Sequence, residues 1–147
     1  HYTLYIVMDI LWSEVFLALF TILFMYTNTI PGYIIAFNGV LCHGSYALSL
    51  PYKEELRIFD ASCNICLSLY VNLDPRTQPL TGIVSCFSFF AWRYNQINTG
   101  NLKAIVHATC VQLPLFIVLV KYSVINFSGD KHLFKFFNAN RGRILFL

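Results

Sequence analysis

Five apolar stretches punctuate the chain: Ile10–Ile30, Tyr33–Leu50, Ala61–Leu73, Leu80–Trp92 and Ala104–Val120. Each is nearly free of charge, and polar residues collect in the short turns between them. The first stretch is 21 residues long with one charge, Glu14, near its start. At about 1.5 Å rise per residue it reaches roughly 30 Å as a helix, one hydrocarbon thickness. Glu14 and Asp9 then sit at the interface. Asn28-Thr29-Ile30-Pro31-Gly32 reads as a tight turn, so the second stretch returns antiparallel beside the first. Its Gly39, Cys42, His43, Gly44 and Ser45 form a small and polar patch of the kind that lets helices approach closely in lipid.

Pro51 opens a charged hinge, Pro51-Tyr52-Lys53-Glu54-Glu55-Leu56-Arg57. The third stretch follows Asp60 and is rich in Ser, Cys and Asn, so it is expected to face other helices. Asp74-Pro75-Arg76-Thr77-Gln78-Pro79 closes it. The fourth stretch is short for a span and is either a span or a buried re-entrant piece. Arg93–Lys103 reads as a polar loop. The fifth stretch contains His107 and Pro114, and the proline predicts a kink. The pattern therefore predicts an all-α, polytopic transmembrane helical bundle over residues 1–124. It has about five spans, or four if the fourth stretch does not cross.

Composition sharpens this picture. Of 147 residues, 57% are hydrophobic and only 12% charged, against about 25% charged in ordinary soluble domains. No basic face lies upstream of Lys121, which excludes a nucleic-acid reader there. The first stretch lacks a basic leader and carries acidic groups, unlike a signal peptide. Five cysteines (Cys42, Cys63, Cys66, Cys86 and Cys110) all fall in apolar stretches. An odd count precludes a complete disulfide framework, and they read as small buried hydrophobes.

Residues 125–147 have a different character. Lys131, Lys135, Arg141 and Arg143 alternate with Phe127, Leu133, Phe134, Phe136, Phe137 and Ile144–Leu147. Cations among large apolar groups suit a membrane interface or a partner-binding arm, with the four cations contacting lipid or partner. With five spans, Arg76, Lys121, Lys131, Lys135, Arg141 and Arg143 share one side. Lys53, Arg57, Arg93 and Lys103 share the other, so six cations against four place the C-terminus inside.

Ionisable residues within apolar stretches are the candidates for chemistry. His43 lies late in the second stretch, Asp60 just before the third and His107 early in the fifth. In a five-span topology all three come to one membrane face at similar depth. They could serve as polar links between helices or as ligands of a zinc ion, with His43 and His107 as metal ligands and Cys42 or Cys63 as softer alternates. Cys63-x-x-Cys66 stands alone and reads as packing. HExxH, G-x-S-x-G, the Walker A loop and haem-attachment motifs are all missing from the sequence.

Gly39-Val40-Leu41-Cys42-His43, followed by Phe59-Asp60-Ala61-Ser62, resembles the second and third helices of the alkaline ceramidase and adiponectin-receptor superfamily of seven-span membrane hydrolases. The resemblance covers roughly Gly39–Leu69. It implies His43 as a zinc ligand and Asp60 as the catalytic residue orienting a metal-bound water that attacks a lipid amide. The chain departs from that pattern in three ways. Gly39 stands where the family has Ser, the His-x-x-x-His pair is missing, and about five spans are expected rather than seven.

The expectation for function is a non-enzymatic integral membrane subunit, without catalytic residue or cofactor. Its role would be structural or in assembly, within a larger complex such as an organelle membrane complex or a viral membrane layer. Its partners would be the bilayer and other subunits, not nucleic acid. The alternative is a zinc-dependent lipid-amide hydrolase-like membrane protein. A transporter piece is a third class, disfavoured by fourteen Phe and few charges in the spans.

Overall fold

A computed structural model describes residues 2–126, with side chains described for Asp9 and from Leu11 onward. Five helices account for nearly all of this segment, and the described residues form no strand. α1 spans Tyr2–Ile22 and tightens into a 3₁₀ turn over Leu23–Thr27. α2 spans Ile30–Ala47, α3 Lys53–Asn72 and α4 Leu80–Tyr94. α5 is one 27-residue helix, Gly100–Asn126. Lys131, Lys135, Arg141 and Arg143 lie outside the described residues, as does the interfacial tail expected there.

The boundaries differ from the sequence expectation where capping chemistry decides them. The chain breaks at Asn28, which takes the left-handed conformation (φ 51°) that Asn tolerates. Thr29 then caps α2, its Oγ1 accepting from the Gly32 N–H at 3.1 Å. Ile30-Pro31-Gly32 are therefore the first turn of α2 and not part of the connection. Proline fits there because a first-turn N–H has no helical acceptor. The charged hinge is likewise shorter than expected. Lys53–Arg57 is already helical, with Glu54 and Glu55 in the favourable first turn of α3. Asp60 thus sits two turns into α3 and not at its opening.

Pro114 also acts differently from a simple kink. Immediately upstream, α5 widens into a π-helical turn over His107–Gln112. Proline offers no N–H to the carbonyl one turn back and its ring crowds that carbonyl. A locally wider turn relieves both problems.

α1 and α2 pack along their lengths, α2 against α3, α4 against the π turn of α5, and α1 against the start of α5. α3 touches α4 little. At one end, Ser13 Oγ lies 2.6 Å from Asn101 Oδ1, tying α1 to α5. At the other, Lys121 donates to the Thr77 carbonyl (2.9 Å) and Arg76 to Asn126 Oδ1 (3.0 Å), so the α3–α4 turn and the end of α5 share a side.

The interior is half polar among the described residues. Among described residues, eleven buried side chains are hydrophobic and eleven are polar. The hydrophobic cluster is small: Phe24, Ile35, Ala36, Val71, Val118 and Leu119. Large apolar side chains stay outside on every helix, among them Phe37 at 66% exposed, Ile58 at 60% and Ile83 at 67%. By length and apolarity, however, α5 alone among the described helices is a full-length candidate span, with Leu11–Thr27 a shorter apolar helix. α2 carries Asn38, His43 and Ser45 inside, α3 opens with charges and α4 has only 15 residues. The cysteines also depart from expectation: all five are free thiols, but only Cys42 is buried, while Cys66 and Cys86 are exposed.

Candidate functional site

The up-and-down topology gathers one end's polar residues. α1 and α5 begin at that end, α2 finishes there and α3 starts there. Glu14, His43, Asp60 and His107 each lie one or two turns in from it. On α1, Glu14, Leu17, Thr21 and Phe24 recur at helical spacing on one face. On α2 the matching face is Ile35, Gly39, Cys42, His43 and Tyr46. On α3 a polar stripe at every fourth residue, Asp60-Asn64-Ser68-Asn72, runs from two turns in to the end of the helix. All these faces line one open-sided chamber of about 770 Å³, to which α4 and α5 contribute the remaining walls.

His43 is the centre of the upper chamber. It is buried, and its Nδ1 lies 2.9 Å from Glu14 Oε2. Its ring meets that of His107 edge to face, with centroids 5.9 Å apart at 76°. Asp60 faces the same chamber from α3. One turn deeper, Gln112 donates through Nε2 to Thr21 Oγ1 at 2.8 Å, and Thr21 donates in turn to the Leu17 carbonyl at 2.7 Å. Gly39 faces Thr21, and a Cβ there would overlap the Thr21 methyl group. A glycine at this position is what lets α1 and α2 close the chamber wall.

Three acceptor oxygens are left over. Asp60 Oδ1, Asn64 Oδ1 and Gln112 Oε1 are shielded from solvent and have no hydrogen-bond partner among the described residues. All three side chains belong to the chamber lining. Buried acceptors without donors are costly, about 1–3 kcal/mol each, so they mark where a donor is accommodated.

The zinc reading needs three or four of these donors to converge. Among the described residues no group of three His, Cys, Asp or Glu side chains is placed to hold a metal ion. One nitrogen of His43 is already turned to Glu14, and Cys63 is not among the residues lining the chamber.

Sequence reasoning named His43, Asp60 and His107, and the fold brings them to one chamber. It set Glu14 aside as an interfacial charge, yet Glu14 is the direct partner of His43. The signal was present: Glu14 is the single charge inside the first apolar stretch, and such a charge needs a partner. Thr21 and Gln112 gave no comparable signal, because neutral polar residues are common in helices that pack in lipid.

No family model matches the chain, and neither does any curated protein or solved structure.

Proposed function

We propose that the chain is an integral membrane protein, a bundle of about five spans with a non-enzymatic structural or assembly role in a larger membrane-associated complex. The observation that carries this reading is the distribution of side chains. Threonine, serine, asparagine, glutamine and histidine make up half of the described buried side chains, while Phe37, Ile58, Ile83 and Ile117 face outward. In water that arrangement forfeits most of the hydrophobic driving force. In a bilayer the exterior costs nothing, and interior polar groups link helices whose backbones are already satisfied. The short connections supply no separate soluble unit, so an exterior this apolar meets either lipid or neighbouring spans.

Two measurements test the reading. After alkaline carbonate washing of membranes, the protein should remain in the pellet. In mild detergent, native mass analysis should find it bound to other chains at fixed stoichiometry. Release into the supernatant, or a lone stable monomer, contradicts it.

The second reading is a hydrolase-like membrane protein related to the ceramidase and adiponectin-receptor superfamily. Its support is that His43, Asp60 and His107 line one chamber. Near-stoichiometric zinc in purified protein, lost on His43→Ala, would favour it over the subunit reading.

A further inference from the structure

We propose that the interhelical chamber is a binding site for a single-chain amphiphile whose head group donates hydrogen bonds, an ammonium or hydroxyl head on an alkyl tail. The site stands independently of any complex the protein joins. Its volume, about 770 Å³, falls within the roughly 300–1,000 Å³ of small-molecule sites. Its walls carry two kinds of surface. Leu17, Phe24, Ile35, Ile65, Leu69 and Leu115 present apolar area along the length of the chamber. Among its polar residues, the buried oxygens left without a partner are those of Asp60, Asn64 and Gln112.

The orphaned atoms decide the head group. Asp60 Oδ1, Asn64 Oδ1 and Gln112 Oε1 are all acceptors. Gln112 is only 7% exposed, and its amide N–H is already committed to Thr21. One of its two amide N–H groups is thus taken, and its oxygen is left without a donor. A carboxylate or phosphate head would add acceptors to acceptors. Charge alone does not choose, because Glu14 and Asp60 in the lining are matched by Arg57 and Lys103. Arg57 is itself engaged, its Nε donating to Glu54 Oε2 at 2.8 Å. The preference is thus for N–H or O–H donors, and the apolar walls take the tail.

Trp92 lines the chamber, while Trp12, the other tryptophan of the chain, is exposed on α1. A Trp12→Phe protein in non-ionic detergent therefore reports on the chamber through Trp92 emission. Dodecylamine should change that emission saturably, at one molecule per protein. Dodecyltrimethylammonium has the same charge and chain without N–H donors, and should bind at least about tenfold more weakly. Dodecanoate should not compete. Gln112→Met and Asn64→Leu should each weaken dodecylamine about tenfold, the worth of one hydrogen bond to an otherwise orphaned buried acceptor. Asn64 is only half-buried, so that variant serves if Gln112→Met fails to fold. Equal binding of the two cationic heads overturns the donor assignment. Titrations of both folded variants that overlay the parent overturn the location. A chamber holding only water gives no saturable change with any probe, and overturns the proposal outright.

Discussion

Glu14 and His43 are the most consequential pair in the bundle. They join α1 to α2 at 2.9 Å, with the carboxylate about four-fifths buried and the imidazole nine-tenths. Hydrogen bonds between helices in lipid are each worth about 0.6–2 kcal/mol, because the separated helices find other partners. A double-mutant cycle with Glu14→Ala and His43→Ala should return a coupling of about 1 kcal/mol, read from unfolding in a mild detergent. A coupling of zero would mean that the two side chains do not depend on each other. Each single change should cost more than the coupling, since it leaves the other polar group buried without a partner. The same logic applies to Gln112 and Thr21. Thr21→Val removes the acceptor for the Gln112 amide and should destabilise by about 1–3 kcal/mol, measured the same way.

At the scale of elements, the α1–α2 pair depends on a close approach at one position. Gly39 has no side chain, and the Thr21 methyl occupies the space a Cβ would need. Gly39→Val should force the helices apart at a cost of about 1–3 kcal/mol, while the same change at Gly44, which faces open space, should cost far less. The α2–α3 turn has its own lock. The Tyr46 hydroxyl donates to Glu54 at 2.5 Å and Arg57 donates to the same carboxylate. Together they hold the Glu54 carboxyl below its ordinary range, the tyrosine contributing most. A depressed folded pKa gives stability that is present above the usual carboxylate range and lost as pH falls through the lowered value. The group is exposed, so the contribution is about 0.2–1 kcal/mol. Glu54→Gln should remove that acid-dependent increment from a pH series of melting temperatures and leave the curve otherwise parallel.

Helix number and order were legible in the chain because apolar periodicity and turn residues agree at most connections. The errors fall where one residue's side chain overrides hydropathy. Thr29 captures a backbone N–H and so draws Ile30-Pro31-Gly32 into α2. Glu54 and Glu55 sit well at a helix start, so a charged run that looks like a hinge becomes the first turn of α3. The π turn before Pro114 has no hydropathy signature, since widening a turn leaves composition unchanged. At the site, ionisable residues stood out in an apolar background, which exposed His43, Asp60 and His107. Glu14 was misplaced because a charge near the end of an apolar run looks solvated until its facing helix is known.

The whole molecule turns on which medium surrounds it. Its outward Phe, Leu and Ile side chains and its inward Thr, Asn, Gln and His side chains are consistent with a bilayer, although α5 alone reaches full span length among the described helices. A chamber bounded by all five helices is open space that a tightly packed core would not leave, and interiors ordinarily pack to crystal-like density. The most direct measurement is the environment of the outer face. Nitroxide labels placed singly at Phe37, Ile83 and Ile117, in a cysteine-free background reconstituted into bilayers, report collision with oxygen, which concentrates in hydrocarbon, and with a polar nickel chelate, which does not. Oxygen collisions should dominate at all three positions. Dominance of the nickel chelate at Phe37, Ile83 and Ile117 alike would place that face in water and contradict a bundle that lives in lipid.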